Sequence, residues 1–151
     1  MSARIANPGV LLPGAMEAIQ ALNTAIEKGG VPASTLALVH IRASQINGCT
    51  LCVGSGTSQA GRAGETKQRL GAVAGWRQAD CFTLAERAAL GLAESVTRLS
   101  DQADPVPDEI WDEAARHYDE RGLAALVLSL GVTNMFNRLN VTTRQLAPTW
   151  G

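Results

Sequence analysis

Apolar residues recur every three or four positions along most of the chain, which is the spacing of one face of an α-helix. The first clear case is Met16, Ile19, Leu22 and Ile26, which predict a helix over about 13–27. The chain has no alternating run of β-branched and aromatic residues and no hairpin dipeptide between two such runs. The pattern therefore predicts an all-α fold. Further helices are predicted over about 32–46, 49–63, 65–74 and 83–99, from 108 to before Gly122, and over 123–146.

Turn and capping residues predict where these helices begin and end. Gly29-Gly30 ends the first helix, and Asn47-Gly48 separates the second from the third. Thr83, with Glu86 three residues later, has the pattern of a capping box. Residues 76–82 and 100–107 are predicted to be connections. The last helix is apolar on most faces, which predicts that it is buried between neighbouring helices or between subunits.

Composition and charge exclude several classes of protein. The 151 residues suffice for one domain with a core, so we predict a single domain over residues 1–151. The net charge of -1 shows no excess of the basic residues with which proteins bind nucleic acid. The longest strongly apolar stretch, Leu123 to Val132, is too short to span a bilayer, and the first residues lack the apolar run of a signal peptide. We therefore expect a cytoplasmic protein without a nucleic-acid or membrane partner.

The chemistry of the chain is concentrated in Cys49 and Cys52, a C-x-x-C pair. Such a pair can form a disulfide, relay electrons or contribute to a metal site. Zinc usually needs four ligands, and only Cys81, His40 and His117 remain as soft candidates, without a second C-x-x-C. We therefore predict neither a metal nor another cofactor. Cys81 has no paired cysteine and is interpreted as a packing residue.

The position of the pair at a helix start favours a redox role. The break at Asn47-Gly48 places both cysteines in the first turn, where unpaired N–H groups and the helix dipole lower a thiol pKa. The functional interpretation is a dithiol that reduces a substrate and closes to a disulfide. The alternative is two small buried core residues, since free cysteine is often buried.

The sequence around the pair resembles the alkylhydroperoxidase D-like, carboxymuconolactone decarboxylase family. The resemblance extends over about 32–145 and rests on the following runs: Leu38-Val39-His40-Ile41-Arg42-Ala43-Ser44-Gln45-Ile46-Asn47-Gly48-Cys49-Thr50-Leu51-Cys52, Ala63-Gly64-Glu65-Thr66, Arg69-Leu70, Trp76-Arg77, Phe82-Thr83, Glu86-Arg87-Ala88-Ala89-Leu90 and Asn137-Arg138-Leu139-Asn140. It implies an all-helical fold that assembles into homotrimers or homohexamers. It also implies a peroxidase-type activity, in which Cys52 attacks a hydroperoxide and Cys49 resolves the sulfenic acid into a disulfide.

Two positions depart from the family pattern. The family has a histidine four residues after the second cysteine, where this chain has Gly56, and a glutamate twelve residues before the first, where it has Ala37. In the family these two groups form the proton relay of the thiol. General acid–base catalysis of this kind raises the reaction rate by roughly 10²–10⁴-fold.

Three interpretations of this departure remain open. The thiols could react slowly, with activation by the helix start alone. His40 could replace the relay, since it lies one helical turn from Ala37 on the same face; the alternative is a surface or otherwise satisfied histidine. Finally, Gly54, Gly56 and Ala37 could leave space beside the sulfurs, which would hold a small apolar ligand or collapse.

The sequence thus predicts a thiol-dependent hydroperoxide reductase, with Cys52, Cys49 and His40 as its site residues. Its substrate is a hydroperoxide, and a thioredoxin-like protein or another dithiol recycles the pair. The alternative function is a non-catalytic oligomeric member of the family that senses redox state or binds a small ligand. A decarboxylase is less favoured, because no convincing acid–base pair and anion site are present.

Overall fold

The computed structural model describes residues 2–147, and within this range the regular structure is entirely helical. The all-α prediction is therefore confirmed. Two short 3-10 helices, Val73–Gln78 and Leu99–Asp101, accompany the α-helices. The α-helices are α1 (Pro8–Leu11), α2 (Ala15–Glu27), α3 (Ala33–Ile46), α4 (Thr50–Arg62), α5 (Lys67–Ala72), α6 (Leu84–Thr97), α7 (Asp108–Ala115) and α8 (Glu120–Thr143).

Most helix boundaries follow the predicted caps. Gly30 and Gly48 have φ angles of 83° and 66°, a conformation that glycine adopts without the steric cost of a Cβ atom. The capping box at α6 is present: the Thr83 hydroxyl accepts a hydrogen bond from the Glu86 N–H, and the Glu86 carboxylate accepts one from the Thr83 N–H. The chain therefore turns where its local chemistry favours a turn.

The predicted start of the last helix is wrong. Gly122 does not separate two helices but lies in the first turn of α8. The helix begins earlier because the Asp119 carboxylate accepts a hydrogen bond from the Gly122 N–H at 2.8 Å and caps the N-terminus. The helix also ends earlier, at Thr143, and the four-residue helix α1 is absent from the prediction.

The core is organised around α3, which packs against α4, α6 and α8. Val39 and Ala43 belong to one buried cluster with Leu92, Leu126 and Leu130. On another side of the helix, buried Leu38 and Ile41 join Leu90, Val73 and Ala60 in a second cluster. Because both clusters meet on α3, this helix, whose C-terminal end leads into the cysteine pair, is packed on two sides.

A carboxamide cluster fixes the turn before the cysteines. The Asn47 amide donates to the side-chain oxygens of Asn134 and Asn137, both at 2.9 Å, and the Asn137 amide donates to Ser44 Oγ at 3.0 Å. Asn137 is only 1% exposed, so an unpaired polar atom there would be costly. These bonds tie the end of α3 to the middle of α8.

Helix α8 combines buried and exposed apolar positions. Among residues 2–147 it is the one helix long and apolar enough to cross a membrane by length and composition, although a core helix meets the same criteria. Leu126 and Leu130 are fully buried, whereas Val127, Leu128 and Val141 are 38–48% exposed. The expected burial of α8 between helices is thus confirmed for part of its surface.

Candidate active site

Cys49 and Cys52 lie at the N-terminus of α4, as predicted. Cys49 is the N-cap residue, and its Sγ accepts a hydrogen bond from the Cys52 backbone N–H at 3.2 Å. The two Sγ atoms are at bonding distance and form a disulfide. Both residues are buried, with 2% and 3% of their surface exposed. The geometry therefore fits a pair that can alternate between dithiol and disulfide.

Cys52 has a second polar neighbour, which comes from α8. The Asn140 side-chain amide donates a hydrogen bond to Cys52 Sγ at 3.3 Å, and Asn140 is itself buried. In the sequence Asn140 stands out only as part of the run that carries the family resemblance. A usable signal is nevertheless present, since Asn134, Asn137 and Asn140 place three carboxamides about one turn apart along the last helix.

His40 occupies the space that a side chain at position 56 would fill. A Cβ atom built on Gly56 would lie 2.6 Å from His40 Cδ2 and 3.0 Å from His40 Nε2. The imidazole bridges two elements: Nδ1 lies 3.1 Å from Thr133 Oγ1, and Nε2 lies 3.3 Å from the Cys52 carbonyl oxygen. The structure thus brings His40 next to the cysteine helix, at the position where the family carries its own histidine.

The protonation of His40 follows from these contacts. A carbonyl oxygen can only accept, so we assign the proton to Nε2, which leaves Nδ1 to accept from the Thr133 hydroxyl. Burial lowers the pKa of His40 below its ordinary value of 6.5, and the hydrogen bond to the Cys52 carbonyl only partly opposes this effect. The imidazole is therefore neutral at pH 7.

This pKa predicts a pH-dependent stability. Between the lowered pKa and 6.5 the unfolded chain binds a proton at His40 that the native chain does not, so stability rises with pH. We expect the urea midpoint of the oxidised protein to fall as the pH is lowered from about 7.5 to about 5.5, and to fall less in His40→Gln. Equal pH dependence in both proteins would contradict a buried neutral histidine.

A cavity of about 350 Å³ lies beside the histidine. Ala37, His40 and Gly56 line one part of it, whereas Cys49, Cys52 and Gly54 do not. The open space therefore lies beside His40 and not beside the sulfurs, where one interpretation of the sequence expects it. The rest of the wall is mixed, and its residues include Ile26, Leu36, Val132 and Phe136 with Asn23, Gln59, Ser129 and Thr133. Its size fits a small organic molecule.

Other titratable residues near the sequence motifs serve the fold. Arg69 forms ion pairs with Glu65 at 2.8 Å and with Glu86 at 2.6 Å. Both carboxylates are therefore engaged in the fold. Cys81 is half-buried and packs against the second core cluster, as expected for a packing residue. Within residues 2–147, no three His, Cys, Asp or Glu side chains lie close enough together to hold a metal ion.

A second buried ion cluster surrounds Glu94, which is 6% exposed. It accepts hydrogen bonds from Arg42 at 2.8 Å and from the Trp76 indole at 2.9 Å, and it also pairs with Arg77. Burial raises the pKa of Glu94, but these hydrogen bonds outweigh that effect and lower it overall. Arg42 therefore anchors α3 to α6 rather than facing the sulfurs.

Comparisons with known proteins place this geometry in a family. Residues 13–95 match the model of the carboxymuconolactone decarboxylase family. The uncharacterized protein YdfG of Bacillus subtilis is 33% identical over 131 residues, which cover 87% of this chain and 88% of YdfG.

Two solved structures share the fold. ATU0492 from Agrobacterium tumefaciens, a protein of unknown function described as a candidate antioxidant defence protein AhpD, superposes with a TM-score of 0.89 at 28% identity over 98% of this chain and 99% of its own. The debrominase Bmp8, solved as a cysteine-to-alanine variant with 2,3,4-tribromopyrrole, superposes with a TM-score of 0.79 at 21% identity over 91% of this chain and 72% of its own, which shows a shared fold alone. The chain therefore belongs to the carboxymuconolactone decarboxylase family and has the helical fold of an AhpD-like protein.

Proposed function

We propose that the protein is a thiol-dependent hydroperoxide reductase that works through Cys52 and Cys49. The observation that supports this most is the bonded cysteine pair at the start of α4, with one hydrogen-bond donor on each sulfur. Donors and the N-terminal end of a helix dipole favour a thiolate over a thiol, and the thiolate is the reactive form. The description of ATU0492 as an AhpD candidate agrees with this chemistry.

The proposed reaction has three steps. The Cys52 thiolate attacks one oxygen of the hydroperoxide and breaks the O–O bond, which leaves a sulfenic acid on Cys52 and releases an alcohol. Cys49 then attacks the Cys52 sulfur, so the disulfide forms and water leaves. A thioredoxin-like protein or another dithiol returns two electrons and two protons by thiol–disulfide exchange. The cytoplasm, which is reducing, is the proposed compartment.

His40 is the proposed proton carrier. When the Cys52 thiol ionises, its proton must reach the departing alkoxide for the alcohol to leave. A neutral imidazole can take up and pass on this proton, and burial keeps His40 neutral. Its ring lies against Gly56, and Nε2 donates to the Cys52 carbonyl, which supports the proposal. In it, Nδ1, the nitrogen without a proton, takes up the proton of the thiol.

We further propose a homotrimer or homohexamer of single-domain chains. The exposed apolar residues Val127, Leu128 and Val141 on α8 would be covered by a neighbouring subunit. Light scattering at micromolar concentration is expected to give the mass of a trimer or a hexamer. A monomer at that concentration would contradict the proposal.

The alternative function is a non-catalytic member of the family that senses redox state or binds a small ligand. The cavity beside Ala37 and Gly56 favours this second candidate, because its volume of about 350 Å³ fits a small organic molecule. The two candidates differ in whether a hydroperoxide oxidises the thiols quickly.

A single-turnover thiol count tests the proposed function. The reduced protein, freed of reductant, receives one equivalent of an organic hydroperoxide, and thiols are alkylated at timed intervals and counted by intact mass. We expect two thiols to be lost within seconds to minutes in the parent and in Cys81→Ser, but not in Cys52→Ser. Thiols that survive for hours would overturn the peroxidase proposal and favour the binding function.

A further inference from the structure

Three hydrogen bonds connect the N-terminal segment to Cys52. The Gly9 backbone N–H donates to Asn7 Oδ1 at 2.9 Å, and Asn7 Nδ2 donates to Asn140 Oδ1 at 2.8 Å. Asn140 Nδ2 then donates to Cys52 Sγ at 3.3 Å. The chain of bonds joins residues that are 133 and 88 positions apart in sequence.

The direction of this chain is fixed at its far end. A backbone N–H can only donate, so the oxygen of Asn7 faces Gly9 and its NH₂ group faces Asn140. The Asn140 oxygen therefore accepts, and its NH₂ group, rather than its oxygen, faces the sulfur. Without Asn7, the Cys52 sulfur is the one side-chain partner left to Asn140 within residues 2–147, so the bond that holds the carboxamide oxygen away from the sulfur is lost.

Other contacts hold the segment in place over the end of α8. The Arg4 N–H donates to the Thr143 carbonyl at 2.9 Å, and the Gln145 side-chain amide donates to the Ile5 carbonyl at 2.9 Å. Asn140 is only 7% exposed, so water has little access to replace a lost partner. The N-terminal segment is thus part of the surroundings of the cysteine pair.

We infer that Asn140 is a catalytic residue that stabilises the Cys52 thiolate, and that Asn7 is a positioning residue that keeps its donor group directed at the sulfur. A donor to an anionic sulfur strengthens when the charge appears, so it lowers the thiol pKa. The flipped carboxamide would place an oxygen against the thiolate and raise that pKa. The significance for hydroperoxide attack rests on the proposed function, but the pKa effect does not.

The test measures the Cys52 pKa directly. In a Cys49→Ser, Cys81→Ser background Cys52 is the only thiol, and the hydroxyl introduced by Cys49→Ser can still accept the backbone N–H at the helix start. The rate of alkylation by iodoacetamide, followed by intact mass across pH, gives the midpoint of thiolate formation. No hydroperoxide is used, so the result is independent of whether the protein is a peroxidase.

Three variants separate the inferred role from a structural one. Asn140→Leu removes the donor without adding charge, and we expect it to raise the midpoint by about one pH unit. At pH values below the midpoint, its alkylation should be about tenfold slower than that of the parent. Asn7→Ser, which keeps a capping oxygen for Gly9 but loses the amide, should raise the midpoint by a smaller amount. The Arg4 guanidinium donates to the Thr142 carbonyl at 3.1 Å, so Arg4→Gln, which shortens this side chain, weakens the attachment of the same segment without touching Asn140 and should leave the midpoint unchanged.

The Asn7→Ser result decides the inference even if Asn140→Leu does not fold. A midpoint equal to that of the parent in Asn7→Ser would overturn the role of Asn7, and equality in Asn140→Leu would overturn the role of Asn140. An equal rise in Arg4→Gln would also overturn the inference, because it would attribute the effect to general loosening. A raised midpoint together with a failed thiol count would leave this inference standing and reject only the peroxidase.

Discussion

Replacing Cys52 with serine is expected to abolish catalysed hydroperoxide reduction, with a fall in kcat/KM of roughly 10³-fold or more. The reason is that Cys52 is the proposed nucleophile and no other sulfur takes its place. Cys49 Sγ accepts a hydrogen bond from the Cys52 backbone N–H at the helix start, and Cys81 packs against the second core cluster. The measurement is steady-state consumption of an organic hydroperoxide with a soluble dithiol as the reductant.

Cys49→Ser is the matched comparison, because it also removes one sulfur from the pair. This variant should react once with the hydroperoxide and stop at the sulfenic acid, seen as a gain of one oxygen atom in intact mass. If instead Cys49→Ser loses the first step and Cys52→Ser keeps it, the attacking and resolving roles are reversed. Cys81→Ser should behave like the parent.

The second large effect on kcat/KM is expected from moving the imidazole from position 40 to position 56. His40→Ala should lower kcat/KM roughly 10²-fold, which is the lower end for loss of general acid–base help. Adding Gly56→His to this variant restores a histidine at the family position, and we expect most of the lost activity to return. The structure allows this exchange because the His40 ring, which fills the space beside position 56, has then been removed.

Gly56→His alone is the control for this exchange. Its Cβ atom would lie 2.6 Å from His40 Cδ2, so one ring has to move, and we expect a loss of about 1–3 kcal/mol in the free energy of unfolding. Unfolding in urea and hydroperoxide kinetics are measured on all three variants. Unchanged activity in His40→Ala, or no recovery in the double variant, would show that His40 does not carry the proton.

Such an exchange could not be designed from the sequence. The sequence shows that His40 lies one turn from Ala37 on the same helix, which is a local relation within α3. That its ring also fills the space at Gly56 depends on how α3 packs against α4, since the two residues lie on different helices. The sequence therefore shows position 56 only as lacking a relay histidine, whereas the structure places an imidazole there from another helix.

The helix boundaries show the same division between local and distant information. Thr83 with Glu86 and the glycine at position 48 are local signals, and the structure confirms the boundaries they predict. The prediction at Gly122 is wrong because glycine often ends a helix, whereas here the Asp119 cap three residues earlier decides where α8 begins. Gly122 and Asp119 predict different boundaries, and the helix begins at Asp119 because its carboxylate accepts a hydrogen bond from the first turn.

The sequence by itself determined the helical class, the family and the position of Cys49 and Cys52 at a helix start. These features depend on apolar periodicity, turn chemistry and a contiguous motif, all of which lie within a few residues of one another. Only the tertiary structure decided which groups surround the sulfurs. Asn140 reaches Cys52 from 88 residues away and Asn7 reaches Asn140 from 133 residues away, and such contacts follow from helix packing, which no local pattern encodes.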